Sequence, residues 1–349
     1  MTTPESFANE RSAAIEFTAT PWGYTKLWLV NMLLTLATLG IYGAWAKVRN
    51  NQYLYGHTSI EDNRLQYLAT PKQILLGRLL ALGVFLIFVG VSMVEPIAAG
   101  IMYLALIPLS PWLIVQGLKF TYRNTAYRNV RFDFKGDYMG ALYHFIVLPL
   151  VAAVTLYLAL PWVIKKIHQF MFGNCEYGGE KLQLNTSTGQ YYKAALVVFL
   201  VSIIAFILIA SSMAGTLTTI QGSEAPNPLS FLPIILVMYF FSFLVQSVFN
   251  AMIRNHIAES LKADELVRFE SRITVAGYLG ITLLNAVLIL FTLGLAFPAA
   301  KVIKMRYIAS KTTVFLTPRI DHMANQVEGK ESAFGEEAAG MFDTDLSIV

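Results

Sequence analysis

Charge is what this sequence has least of. Only 14% of its 349 residues are Asp, Glu, Lys or Arg, while 56% are hydrophobic; soluble domains carry about 25% charged residues. So few charges cannot clothe a soluble surface around that much apolar side chain. With a mean hydropathy of +0.55, the natural solvent is a bilayer. Cysteine is nearly absent too, and the single Cys175 excludes a disulfide scaffold. The 23 Gly and 13 Pro follow no period, which excludes collagen-like and low-complexity chains. The five histidines (His57, His144, His168, His256, His322) stand singly rather than at ligand spacing, and read as surface or interfacial. No G-x-S-x-G elbow, P-loop or H-E-x-x-H helix occurs. Gly178-Gly179 sits between strand-like residues and reads as a turn, and Cys175, with no second thiol or base nearby, as structural. The expectation is a protein that is not an enzyme, with no catalytic residue, cofactor or metal.

What is present is long apolar runs. A helix needs about 20 mostly apolar residues to cross a hydrocarbon core of about 30 Å, and seven stretches qualify: residues 27–46, 74–94, 97–118, 140–164, 194–214, 229–253 and 275–300. Arg78 and His144, near run ends, can snorkel to the interface. The five tryptophans lie in or near the runs, most of them fitting an interfacial belt. No run holds Asp or Glu in its interior; Glu95 falls in a turn before Pro96. The segment before the first run is polar, without the apolar core of a signal peptide, so that run is expected to stay uncleaved. The expected organisation is a polar segment 1–14, a transmembrane domain 15–320, and an acidic tail 321–349, read as solvated and disordered.

Counting Lys and Arg under seven crossings gives 15 against 10, placing the C-terminus inside and the N-terminus outside. The distribution is uneven. Links 95–96 and 215–228 are free of Lys and Arg, and every other link is basic. If all basic links lay inside, the first, fourth and seventh runs would have to enter and return on one side. Seven crossings is the favoured reading and re-entrant hairpins its rival.

Distant segments match. Asn31, Thr38-Leu39-Gly40, Ala46-Lys47-Val48, Tyr53 and Thr58 have counterparts in Asn285, Thr292-Leu293-Gly294, Ala300-Lys301-Val302, Tyr307 and Thr312, with Gly23-Tyr24 and Gly277-Tyr278 upstream. Pro111-Trp112, Phe120, Asn124 and Tyr127 likewise match Pro161-Trp162, Phe170, Asn174 and Tyr177. A weaker copy ends at Arg254-Asn255-His256. Each copy runs into a short alternating stretch with turn residues such as Asp62-Asn63 or Gly178-Gly179, the signature of a β-hairpin. Gly40 and Gly294 can end a helix in a left-handed cap, and Pro111, Pro161 or Pro298 can open the next. The fold class expected is therefore an all-α polytopic membrane protein: about seven transmembrane helices from about five internal repeats, joined by short interfacial β-hairpins. If the units instead close into a ring, the unpartnered strands at 15–20 and 312–316 should pair with each other.

These motifs resemble the YjgN-like family of bacterial inner-membrane proteins. The resemblance rests on Thr38-Leu39-Gly40-Ile41-Tyr42, Ala44-Trp45-Ala46-Lys47-Val48-Arg49, Tyr53, His57-Thr58, Leu65-Gln66-Tyr67, Asn124-Thr125 and Arg131-Phe132-Asp133-Phe134, and covers roughly residues 15–320. Ala44 stands where the family usually has Pro, and His57 where it has Asn. The resemblance implies a multi-pass protein of the bacterial inner membrane and brings no activity with it.

Function then turns on the polar residues within the runs. Asn31 and Asn285, at matching positions, and Gln116 and Gln246 are candidates for a polar lining or a helix–helix contact. Arg123, Arg128, Arg131 and Lys135 interleave with aromatics in a pattern that suits nucleotide stacking, but lipid headgroups explain them more cheaply. The expected partners are membrane lipids, with a protein partner or a second copy of the chain as the other candidate, and no nucleic acid. Two functions are open: transport or permeation of a small molecule or lipid, or an envelope assembly role in which the hairpins bind a partner.

Overall fold

The structure is a computed structural model, and it describes residues 10–220, 231–263 and 266–321. Its strands are short, and two-residue turns join several of them. Glu61-Asp62, Arg128-Asn129 and Gly178-Gly179 all have φ between 48° and 90°, the backbone twist that matches antiparallel strands. These turns join β2 (Thr58–Ile60) to β3 (Asn63–Tyr67), β4 (Thr125–Tyr127) to β5 (Val130–Phe134), and β6 (Cys175–Tyr177) to β7 (Glu180–Leu184). A fourth hairpin is β8 (Leu261–Ala263) with β9 (Val267–Ser271). The remaining two strands, β1 (Arg11–Phe17) and β10 (Thr312–Leu316), pair from opposite ends of the chain, Ala13 facing Val314. All neighbours are antiparallel, and the order β1-β10-β9-β8-β7-β6-β5-β4-β3-β2 closes into a barrel. Closure leaves no edge strand to template aggregation.

Between hairpins the chain leaves one rim of the barrel as two helices and returns to it, five times. The pairs are α1 (Pro21–Ala37) with α2 (Gly43–Gly56); α3 (Pro71–Val94) with α4 (Pro96–Arg123); α5 (Tyr138–Leu142), a π-helical turn and α6 (Leu148–Val154) with α7 (Leu160–Gly173); α8 (Thr188–Ile220) with α9 (Leu232–Ser260); and α10 (Val275–Phe291) with α11 (Phe297–Ser310). Each pair packs on the next, and α11 packs on α1 to complete the ring.

Three pairs turn on one device. Thr38 Oγ1 donates to the Leu34 carbonyl at 2.8 Å and accepts from the Tyr42 amide at 2.9 Å, and the Gly40 amide reaches back to Thr35 O at 2.8 Å. Thr292 and Thr155 make the same two side-chain bonds. The residue before the bend is a Leu at φ 50° in all three, and the next is Gly40 (95°), Gly294 (91°) or Tyr157 (64°). Such a bond set satisfies the last helical carbonyls without water, as a tip lying in lipid requires. At their other ends, Thr20, Thr274 and Asp137 cap α1, α10 and α5 through the amides of Gly23, Gly277 and Gly140.

The barrel interior is filled. Ala13, Tyr127, Val130, Cys175, Tyr177, Leu182, Val314 and Leu316 are buried in one cluster with Phe132 and Phe269 against them. The two tyrosine hydroxyls donate to backbone carbonyls, Tyr177 to Tyr127 O and Tyr127 to Ile60 O, both at 3.0 Å. Ile320, from the segment after β10, is buried in the same cluster and stoppers the mouth on the side away from the helices.

The all-α architecture with seven crossings is thus overturned. The strands are one closed ten-stranded barrel, and among the described residues four helices are long and apolar enough to cross: Pro71–Val94, Pro96–Arg123, Thr188–Ser211 and Ile234–Ser260. The runs 27–46, 140–164 and 275–300 are broken by the threonine tips. Their legs of 17 and 14 residues reach about 25 and 21 Å at 1.5 Å per residue, short of about 30 Å. Opposite-side termini fail with them, because β1 and β10 are neighbours. The terminal strands do pair, but through Arg11–Ala14 rather than the expected 15–20, whose residues Ile15–Phe17 pair with β2 instead.

Candidate functional site

The cations of the fold are engaged to different degrees. Several at the barrel are paired with carboxylates: Arg123 and Lys135 with Asp133 at 2.8 Å each, Arg268 with Glu10 and Glu270 at 2.8 Å, Arg319 with Glu180 at 2.8 Å. Burial works against the Asp133 charge, yet bonds from Arg123, Lys135 and the Phe134 amide hold its carboxyl far below the usual carboxylate range. Arg123, Arg128 and Lys135 of the supposed headgroup stretch are therefore engaged within the fold. Three cations on the helices differ from these. Lys47, Arg78 and Lys301 have no ion pair or hydrogen bond among the described residues.

These three meet in a cleft of 490 Å³ between α1, α2, the start of α3 and α11. Asn31 lies in its wall. It is 1% exposed, donates to Asn50 Oδ1 at 2.9 Å, and so ties α1 to α2. Asn285, 8% exposed, ties α10 to α11 by donating to Ala300 O at 2.9 Å, while its Oδ1 is buried without a partner. It lines a second cleft of 880 Å³ between α9, α10 and α11, mostly apolar, whose polar corner is Lys301 and Lys304. The two clefts share Phe297 and Lys301. Gln116 and Gln246 are exposed on the long helices and line neither.

A third cleft, 420 Å³, opens beneath the barrel between α7 and α9. Near it the structure gathers histidines that the sequence scatters: His168 Nδ1 lies 2.8 Å from the Tyr191 hydroxyl, and His256 Nε2 accepts from the Ser187 amide at 2.9 Å. No three His, Cys, Asp or Glu among the described residues form a metal-sized group. Cys175 is buried in the barrel, its thiol pushed up to about 12 by burial first and then by the Glu176 and Asp133 carboxylates.

The family described as "Bacterial protein of unknown function (DUF898)" matches residues 12–341. The chain belongs to this family. It is 26% identical to Inner membrane protein YjgN of Salmonella typhimurium over 88% of this chain and 90% of that protein. It is 23% identical to proteins of the same name from Escherichia coli O157:H7 and K12, each over 86% of this chain and 88% of the relative. No solved structure matches. The family's relatives are thus named for the inner membrane, which agrees with the four long apolar helices.

Of the four amides expected from the sequence, Asn31 and Asn285 lie in the walls of these clefts, and Arg78 and Lys301 line them without having been singled out as lining. Arg78 reads in isolation as a snorkelling end residue, and only the ring brings α11 beside α1. The matching positions of Lys47 and Lys301 were the available signal.

Proposed function

We propose that this protein is a non-catalytic, multi-pass inner-membrane protein that holds or moves a lipid or small molecule at its helix layer. One observation carries the reading: the barrel is packed through its centre and stoppered by Ile320, while large clefts with unpaired cations lie between helices outside it. Passage through the barrel is disfavoured and lateral access from the membrane favoured. The five helical hairpins are, on this reading, copies of one unit, as the matched tips and caps suggest. Every described link at the barrel rim is Lys/Arg-bearing, and the far link at Glu95 is not, which favours a cytoplasmic barrel. Cysteines placed at Asn63 and Glu176 should then label only from the cytoplasm, and one at Glu95 from outside.

The functional test compares the lipid and metabolite content of a deletion strain carrying wild-type protein, no protein, or the Asn31→Leu/Asn285→Leu double variant at equal membrane level. A difference restored by wild type and not by the double variant is expected. No difference between deletion and wild type, with a stably co-purifying protein lost on mutation of the strand turns, would replace this reading by an assembly role.

A further inference from the structure

We propose that the cleft where the last helical hairpin meets the first is a headgroup site for an anionic phospholipid, with Lys47, Arg78 and Lys301 receiving the phosphate. This rests on the membrane reading above and names its ligand.

Topology makes this seam unlike the others. Around the ring the hairpins run short, long, short, long, short. Five is odd, so strict alternation fails once, and α11 packs against α1 with both of their hairpins short. Elsewhere each short hairpin is flanked by helices long enough to cross. Here two neighbouring hairpins stop within the membrane, leaving room for lipid alongside them.

The cations sit at a depth where charge is costly. Lys47 and Lys301 each lie nine residues from the barrel end of their helix, about 14 Å at 1.5 Å per residue. Arg78 lies seven residues into α3, about 10 Å. Exposed apolar residues surround the tips beyond them, Leu39 at 95% and Leu293 at 94%. Charges at such depth are normally paired or face a ligand path, and basic pockets between membrane helices take anionic headgroups. The lining holds no Asp or Glu. It therefore offers no counter-charge to the ammonium of a zwitterionic lipid, and complements a headgroup with net negative charge.

The site is shaped for the guanidinium. Arg78 Nη1 lies 2.5 Å from where a Cβ on Gly43 would sit, so the absence of a side chain there lets Arg78 lie against α2. Asn50 and Asn51 add amides on the same helix. The remaining wall is apolar, with Trp28, Met32, Leu36 and Phe297. Beyond Phe297 and Lys301 begins the apolar 880 Å³ cleft, which acyl chains suit and free phosphate does not.

The test is native mass spectrometry of the full-length protein in detergent, titrated with phosphatidylglycerol, phosphatidylethanolamine or inorganic phosphate. Phosphatidylglycerol should bind at least tenfold tighter than phosphatidylethanolamine, and Lys47→Gln/Arg78→Gln/Lys301→Gln should remove that preference. Arg123→Gln, at the barrel end of α4 and outside the cleft, should leave it intact. Arg78→Gln alone, on the exposed face of α3, should weaken phosphatidylglycerol three- to tenfold, and keeps the test decisive should the triple variant not fold. Equal binding of the two lipids, or an unchanged preference in Arg78→Gln, overturns the site. Competition by inorganic phosphate at equal concentration overturns the lipid assignment in favour of a free anion. Specific binding with an unaltered cellular profile would reject the proposed function and leave the site standing.

Discussion

Arg128 should act as the bolt of the barrel mouth, and its contribution can be worked from the contacts it makes. It occupies the β4–β5 turn at φ 49° with its side chain 13% exposed. Its guanidinium donates to Glu61, in the β2–β3 turn, at 2.9 Å and to Asp321, just beyond β10. Arg11 of β1 meets the same two carboxylates at 3.2 and 2.8 Å. Two arginines and two carboxylates thus tie four pieces of the rim over buried Ile320. Breaking a fully buried pair costs about 3–5 kcal/mol, and an exposed pair is worth under about 1 kcal/mol. With Asp321 at 36% and Glu61 at 22%, Arg128→Met should cost about 1–3 kcal/mol. The lower half is favoured because the buried Arg128 Nε has no partner, leaving part of its desolvation uncompensated. Coupling in an Arg128→Met/Asp321→Asn cycle should be about 1–2 kcal/mol, since Arg11 still serves either carboxylate.

The same network fixes a pH dependence. Burial alone would raise the Asp321 pKa, but hydrogen bonds and charge from Arg128 and Arg11 outweigh it and hold the carboxyl below its usual value. A depressed carboxylate contributes stability that is fully present above the unfolded-state pKa, about 3.9. That stability is lost as pH falls through the folded value. Unfolding in mild detergent, followed by circular dichroism from pH 3 to 7, should show Arg128→Met and wild type differing most near neutrality and converging in acid. Asp321→Asn should flatten part of the wild-type acid limb. A coupling below about 0.3 kcal/mol, or an acid limb unchanged in Asp321→Asn, would refute the bolt.

Three further outcomes are expected. Ala13→Cys/Val314→Cys, in a Cys175→Ala background, should crosslink under mild oxidation, since facing residues have Cα atoms about 4.5–5.5 Å apart; Thr18→Cys/Val314→Cys should not, because the Thr18 amide bonds to His57 O instead. Gly23→Val should prise α1 from α2, because a Cβ there would lie 2.6 Å from the Tyr53 hydroxyl; a loss of about 1–3 kcal/mol, partly restored by Tyr53→Ala, is the result to measure by thermal unfolding. Cys175, with its thiol near 12, should resist maleimide at pH 7–8 until the barrel unfolds, and rapid labelling of folded protein would contradict its burial.

Much of this fold was legible locally. The threonine tips, the Thr and Asp caps and the two-residue turns all have side-chain chemistry that announces them, although the first turn is Glu61-Asp62, one residue before the expected pair. Closure was harder to read, because strands of three to seven residues carry little signal and β1 and β10 stand at opposite ends of the chain. Hydropathy misled where the tips are themselves apolar: Leu39 and Leu293 keep a run continuous across a bend. Proline misled in the opposite sense. Pro111 was read as opening a helix, yet α4 runs through both Pro108 and Pro111. The carbonyl that Pro111 cannot serve, Ile107 O, accepts from the Ser110 hydroxyl at 2.8 Å. There a neighbouring side chain restores what the ring removes. Asn31 and Asn285 were visible as buried amides in matching places; the cations they neighbour were not, because their convergence depends on the ring.

That dependence links the mouth of the barrel to the cleft. The wall of the seam has two halves, one from each end of the chain, and nothing covalent joins them nearby. Three contacts at successive depths do. At the mouth, Arg11 and Asp321 pair across β1 and the end of β10. In the barrel, β1 and β10 share a ladder from Arg11 opposite Leu316 to Ala14 opposite Thr313. Below it, Arg306 of α11 donates to Ala19 O, just before α1, at 2.6 Å. The helices themselves then pack, and Lys301 comes to face Lys47 and Arg78 across the cleft. Two lysines and an arginine facing one another repel, so the cleft cannot be what holds α11 against α1. The barrel must hold them, and its closure is therefore a condition for the site as well as for the fold. Opening the β1–β10 ladder should separate the cations and abolish their shared ligand while leaving the other four seams intact, whereas removing the cations should leave the ladder closed.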